Sequence, residues 1–151
     1  MGRLMGLDFG SKTVGVALSD ELQVIASPVE TITRDRESKI RPTLRRLSDI
    51  AALKDVELIV VGDPVNMDGS SGERSLKSRE FAENLRYRLM QDGLNIEVVM
   101  YDERLTTIGA DEILEEANVR ASERKTYIDK IAASLILETF MKERNNNDAG
   151  R

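Results

Sequence analysis

Three acidic residues follow or interrupt apolar segments, and together they have the chemistry of a metal site. Asp8 ends the short apolar run at the start of the chain, and Glu103 comes soon after a second such run. Asp129 falls within the apolar arc of the last predicted helix, so it faces the sheet. Carboxylates held together without a cation repel one another and raise each other's pKa. All three acids could instead be ligands of one divalent cation, which would acidify a bound water and stabilise charge on a phosphoryl oxygen.

Each acid also has an interpretation without a metal. A carboxylate at the end of an apolar strand needs compensation, and for Asp8 a phosphate or a basic side chain could supply it instead. Thr126 and Asp129 have the spacing of a capping box, which would make Asp129 a cap in the first turn of its helix. The metal hypothesis is favoured because one cation accounts for all three positions.

The residue types that the chain lacks restrict its chemistry further. The 151 residues include no Cys and no His, which excludes disulfides, thiolate sites and the commonest general base. Any metal is then expected to be a hard, oxygen-bound cation such as Mg²⁺ or Mn²⁺. With 40% hydrophobic and 32% charged residues and no long apolar run, the chain is expected to be globular. We expect neither a membrane span nor a signal peptide.

Positive charge is concentrated locally on a chain whose net charge is −5. That net charge argues mildly against a nucleic-acid partner, but a local basic face can still bind phosphates. Lys12, in a turn after the first strand, and Arg104, beside Glu103, are the candidate substrate contacts; alternatively Lys12 is solvated and Arg104 pairs with the acid. The two basic clusters, each of which could also be a solvated helix face, are Arg34, Arg36, Lys39, Arg41, Arg45 and Arg46, and Arg120, Arg124 and Lys125.

Periodicity predicts the element order β-β-β-α-β-α-β-α-α. Three meandering strands followed by βα crossovers give a mixed five-stranded α/β sheet with helices on both faces. The first strand is expected at the centre, with the fourth and fifth parallel to it, so that their carboxyl ends open on one edge. The predicted strands cover residues 3–9, 13–19, 23–33, 57–62 and 96–101, and helical apolar stripes cover 40–51, 81–89, 108–117 and 128–140.

Prolines, glycines and a capping pattern predict where several elements begin and end. Pro42 is compatible with a helix only in its first turn, and Pro28 marks an edge or a bend in the third strand. Ser70 and Glu73 have capping-box spacing ahead of the second helix, which Gly93 is expected to end.

The chain is expected to form one domain. No repeat or linker divides residues 1–143. A charged loop is predicted at residues 120–125, and residues 144–151 are predicted to be a disordered polar tail. No apolar surface stripe indicates a dimer, so the sequence leaves the oligomeric state open.

Four motifs, in order, resemble those of the YqgF (RuvX) family and together span residues 5–137. The resemblance implies an RNase H-like fold related to the RuvC Holliday-junction resolvases, in a cytoplasmic bacterial protein. It places the family's acids on Asp8, Glu103 and Asp129. It also implies a nuclease for structured nucleic acid, either the 5′ end of pre-16S rRNA or DNA junctions. The motifs are Asp8 to Asp20, Val61 to Gly72, Asp102-Glu103-Arg104-Leu105-Thr106-Thr107, and Asp129 to Leu137.

The chain departs from the family pattern at Asp63, where members usually have an apolar residue between Gly62 and Pro64. RuvC resolvases carry an acid near the end of this strand. Asp63 could therefore be a fourth metal ligand or replace Glu103. The interpretation that we favour from the sequence is a turn acid that points to solvent.

Two other function classes are compatible with the same motifs. The segment from Asp8 to Lys12 is similar to the phosphate loop of actin-like and sugar-kinase-like ATPases, but those need two such domains. A nucleic-acid-binding or regulatory module without catalysis is the second class. Loss of cleavage in Asp8→Asn with binding retained would favour the nuclease over this module.

Overall fold

One mixed sheet forms the centre of the molecule. The computed structural model describes residues 2–105 and 121–149. Its elements are β1 (Arg3–Phe9), β2 (Thr13–Ser19), β3 (Ala26–Thr33), α1 (Arg41–Leu53), β4 (Val56–Asp63), α2 (Glu73–Gln91), β5 (Glu97–Asp102), a 3-10 turn (Glu103–Leu105) and α3 (Ala121–Ala149). The sheet order is β3-β2-β1-β4-β5. β1, β2 and β3 are antiparallel neighbours, whereas β4 and β5 run parallel to β1. The predicted fold class and the central position of β1 are confirmed.

Strand alternation divides the core into two layers. Met5 and Leu7 point to the face that α1 and α2 cover. Leu4 points to the opposite face and packs with Ile136 and Leu137 of α3. Helices therefore cover both faces. Among the described helices none is long and apolar enough to cross a membrane.

Glycines bring α3 unusually close to the central strands. A Cβ at Gly15 would lie 1.9 Å from the carbonyl oxygen of Asp129. A Cβ at Gly6 would lie 2.7 Å from the carbonyl oxygen of Ala133. The bare backbone of β1 and β2 is therefore the surface on which α3 rests, and it sets the position of Asp129.

Replacing Gly15 by Ala is expected to destabilise the fold and displace Asp129. The new methyl group meets helix backbone, which cannot rotate away as a side chain can. We expect the free energy of unfolding, measured in urea, to fall by about 3 kcal/mol. Gly10→Ala is the control, because its Cβ would meet the Thr13 hydroxyl at 3.1 Å and cost less. Equal losses in the two variants would contradict this close packing of α3.

Several predicted boundaries are confirmed. Pro42 lies in the first turn of α1. Gly93, with φ +75°, follows the end of α2. Pro28 lies on the edge strand β3, where the pairing with β2 shifts register so that Val16 faces Glu30 and Ala17 faces Pro28.

The capping box predicted at Ser70 is wrong. α2 begins after Gly72 without a side-chain cap. The Ser70 hydroxyl and amide both donate to Asp68, at 2.6 and 2.9 Å. Asp68 and Ser70 favour a local turn, and this turn competes with capping.

α3 begins earlier than predicted. Because the helix starts at Ala121, Asp129 lies about two turns inside it rather than in its first turn, and the predicted cap with Thr126 is wrong. Residues 121–125 are helical rather than a loop, and the helix continues through residues 144–149. The helix predicted over 108–117 lies outside the described residues.

Candidate active site

Carboxylates from three elements approach one another at the carboxyl edge of the sheet. Asp8 is the last residue but one of β1 and follows Leu4 and Gly6 on the α3 face of the strand. Glu103 comes directly after β5. Gly62 of β4 leaves room for it, since a Cβ there would lie 2.5 Å from the Glu103 Oε1. Strand alternation and one glycine thus direct two acids toward α3.

The electrostatics of Asp8 show that these groups interact. Burial raises the pKa of Asp8 well above its usual range, and a hydrogen bond with Glu103 and the charges of Glu103 and Asp129 raise it further. The charge of Arg74 acts in the opposite direction. Asp8 therefore lies close enough to two other acids for their charges to disfavour its ionised form.

Asp129 supplies the third carboxylate. Its Oδ2 is buried and has no hydrogen-bond partner within the described part of the chain. Such an oxygen is costly to leave without a donor or a cation. Asp129 shares the apolar face of α3 with Ala133 and Ile136, the orientation expected from helical spacing.

The donor set fits a hard divalent cation. Carboxylate oxygens are the ligands that Mg²⁺ and Mn²⁺ prefer, and a cation would both offset the repulsion between the acids and satisfy the buried oxygen of Asp129. In the side-chain positions observed for residues 2–104 and 128–146, no three acids are already spaced as ligands of one ion. Closing the site therefore requires side-chain movement.

Asp63 lies on the opposite side of β4 from this cluster. It is 6% exposed, and so the sequence interpretation of a solvent-facing turn acid is wrong. Its Oδ1 accepts from the Ser75 hydroxyl, and its Oδ2 accepts from Arg79 Nε and Nη2 at 3.1 and 2.9 Å. Because Gly62 faces α3, the next residue faces α2. Both oxygens are engaged there, and we leave Asp63 out of the ligand set.

Arg104 pairs with an acid, but the acid is Asp102 rather than Glu103. Its Nε and Nη2 donate to the Asp102 carboxylate at 2.9 and 2.6 Å, and its Nη1 donates to the Met67 carbonyl at 3.2 Å. Arg104 thus ties the loop before α2 to the end of β5. A contact between Arg104 and substrate stays a prediction.

The turn that follows Asp8 depends on Arg34, which the sequence analysis placed in a basic cluster that could bind phosphates or form a solvated helix face. Arg34 Nη2 donates to the carbonyls of Gly10 and Ser11 at 2.7 and 2.8 Å. Lys12 is exposed at the tip of this turn, and its side chain makes no hydrogen bond to another described residue. A contact between Lys12 and substrate stays a prediction. No sequence pattern distinguishes Arg34 from its exposed neighbours.

Comparisons with known proteins identify the family of this chain. The family model for RuvX, described as a Holliday junction resolvase, matches residues 2–143. The chain belongs to the RuvX family. A relative from Lachnospira eligens is 49% identical over 142 residues, covering 94% of this chain and 98% of its own length. One from Bacillus thuringiensis is 45% identical over 139 residues, covering 92% and 97%. Both are named as candidate pre-16S rRNA nucleases.

Solved structures share the fold of this RuvX-family chain at low sequence identity. Thermus thermophilus RuvC in complex with a Holliday junction substrate has a TM-score of 0.57 and 14% identity, over 93% of this chain and 96% of that one. The fowlpox virus Holliday junction resolvase has a TM-score of 0.53 and 13% identity, over 93% and 98%. These likenesses support the RNase H-like fold.

Proposed function

We propose that this RuvX-family protein is a nuclease that hydrolyses phosphodiester bonds of structured RNA with Mg²⁺ or Mn²⁺ held by Asp8, Glu103 and Asp129. The observation that carries the proposal is the cluster itself. The buried Asp8 lies beside Glu103 and Asp129, whose charges raise its pKa, and Asp129 has a buried oxygen without a partner among the described residues. The chain has no Cys or His that could do this chemistry otherwise.

The three acids and their neighbours have separate parts in this reaction. When bound, the cation would supply positive charge to a phosphoryl oxygen and acidify a water molecule. Asp8 and Glu103 would hold the cation from the carboxyl ends of β1 and β5. Asp129, whose position is fixed by the contact of α3 with Gly15, would hold the cation from the α3 side. Lys12 orients the substrate backbone from the turn after β1, since phosphate contacts position a strand without reading its sequence.

The names of the relatives favour RNA over DNA as substrate. The curated relatives from Lachnospira eligens and Bacillus thuringiensis are named for pre-16S rRNA, and we infer 5′-end processing of this precursor in the cytoplasm. The family description names Holliday junctions instead. A four-way DNA junction is therefore the second candidate substrate, and an RNA-specific site would have to contact the 2′-hydroxyl.

Cleavage of both substrates by the purified protein tests the proposal. Labelled structured RNA carrying a pre-16S 5′ end and a labelled four-way DNA junction are incubated with Mg²⁺, Mn²⁺ or EDTA. We expect metal-dependent cutting of the RNA, and faster cutting of the junction would instead make it a resolvase. A folded protein that binds either substrate without cutting it would overturn the nuclease and favour a non-catalytic binding module.

A further inference from the structure

A buried arginine beside the candidate active site has hydrogen-bond donors to spare. Arg34 is 7% exposed, and only its Nη2 is used, on the turn carbonyls. Its Nε and Nη1 are buried without a partner among the described residues, and the same is true of Arg74 Nη2. Buried guanidinium donors left without acceptors are unfavourable unless a ligand satisfies them.

The two arginines converge on one aromatic ring. The Arg34 guanidinium lies 4.6 Å from the centre of the Phe9 ring, and that of Arg74 lies 5.8 Å from it. Burial lowers the pKa of Arg34, and the charge of Arg74 lowers it further. Two like charges are therefore held together beside Phe9, whose ring stacks on Phe81 of α2, and the charge of Arg74 also lowers the pKa of the neighbouring Asp8 against the larger effects that raise it.

One carboxylate stands among these cations. Glu37 accepts a hydrogen bond from Arg74 and one from Lys77 at 3.0 Å, and these bonds lower its pKa. Lys77 also reaches the exposed Glu73 at 3.4 Å. Glu37 and Lys77, together with a second acid, Glu80, line an open cavity of about 510 Å³ beside Phe9, so solvent and ligands reach Glu37.

We propose that Arg34, Arg74 and Lys77 bind one phosphate of the nucleic-acid backbone on the α2 side of the candidate active site, and that Glu37 occupies this phosphate site in the free protein. This inference rests on the proposed function, because it takes the substrate to be a nucleic acid. A phosphodiester fits better than a carboxylate since its tetrahedral oxygens can accept from donors of two guanidinium groups and an ammonium that approach from different directions. When the phosphate displaces Glu37, it can reach these cations from the cavity.

Removing the charge of Glu37 tests the displacement. Binding of a fluorescein-labelled RNA hairpin is measured by anisotropy in EDTA, which separates binding from cleavage. Glu37→Gln is expected to bind about fivefold more tightly, because the internal competitor is lost. The matched control is Glu30→Gln, which removes the same charge from a surface pair with Arg46 and should change Kd less than about twofold.

Removing the cations tests the site itself. The double variant of Arg74→Gln and Lys77→Gln is expected to weaken binding about tenfold and reduce the slope of log Kd against log salt by about one. Lys142→Gln, an exposed lysine paired with Glu138 on α3, is the control and should leave the slope unchanged. The Nε–H resonance of Arg34, followed by NMR in the wild type, should shift on adding the hairpin.

The outcomes separate this inference from the proposed function. Equal effects of Glu37→Gln and Glu30→Gln, with an unmoved Arg34 resonance, would overturn the phosphate site even if the protein cuts RNA. Tighter binding by Glu37→Gln and a shifted Arg34 resonance in a protein that never cuts RNA would support the site and overturn the nuclease. Failure of the wild type to bind the hairpin would overturn both.

Discussion

Asp8→Asn is expected to abolish cleavage and, in the absence of metal, to make the folded protein more stable. The amide keeps the shape of the side chain but loses the charge that holds the cation, so we expect the rate to fall about 10³-fold. Stability should move in the opposite direction. The carboxylate of Asp8 is buried against Glu103 and Asp129, and the amide ends both its desolvation and its repulsion.

The pH dependence of this gain follows from the raised pKa of Asp8. The folded state binds the proton more tightly than the unfolded state does, so this group favours folding at low pH and loses that contribution as pH rises through its raised pKa. Urea unfolding in EDTA should therefore show Asp8→Asn more stable than the wild type at pH 8. The difference should shrink at pH 3.

Asp20→Asn is the control for Asp8→Asn because its shift has the opposite sign. The amides of Ile25 and Val24 donate to Asp20 and lower its pKa, so the carboxylate stabilises the fold above its ordinary pKa and less as pH falls. Asp20→Asn should lose stability at pH 8 and keep full cleavage. Full cleavage by Asp8→Asn would contradict the assigned role of Asp8.

Arg79→Met is expected to be strongly destabilising because it leaves Asp63 buried without its cation. The pair joins Arg79 Nη2 to Asp63 Oδ2 at 2.9 Å, and Asp63 is 6% exposed while the arginine side chain is 48% exposed. Breaking a fully buried pair costs roughly 3–5 kcal/mol, and the exposure of Arg79 reduces this to about 2 kcal/mol in the free energy of unfolding.

Two further variants show whether the loss in Arg79→Met comes from the buried charge. Adding Asp63→Val to it should restore most of the stability, since an apolar pair often replaces a buried ion pair without loss. Arg88→Met, on the same helix, breaks a half-exposed pair with Asp92 and should cost less than about 1 kcal/mol. If Asp63→Val alone reduced cleavage as much as Asp8→Asn does, Asp63 would be a metal ligand after all.

The sequence predicted the acids of the cluster because each is tied to a strong periodic signal. Asp8 lies at the end of one buried strand and Glu103 follows another, and the carboxyl ends of these strands meet at one edge. Asp129 shares its helical face with apolar residues. The sheet topology followed from the same signals through the rules for crossover connections. The positions of the acids and the sheet topology depend on local sequence patterns and on general topology rules, and a single sequence contains enough information to apply both.

The missed features depend on contacts between residues that are far apart in the chain. Asp63 lies at the end of a buried strand, as Asp8 does. Because Gly62 faces the cluster, the next residue, Asp63, faces the other side of the sheet and pairs with Arg79. Arg34 reaches Gly10 across 24 positions of sequence. Such side-chain pairings leave no periodic trace. Local competition explains the wrong helix start at Ser70, where turn and cap patterns overlap.

The most direct test of the account is to locate the cation. A crystal of the protein grown with Mn²⁺ should show anomalous scattering at one position between Asp8, Glu103 and Asp129, within about 2.0–2.3 Å of a carboxylate oxygen of each. The same crystal of Asp8→Asn should lack it. Manganese bound elsewhere, or an empty cluster in a protein that still cuts RNA in Mn²⁺, would contradict the assignment of these three acids as the metal site.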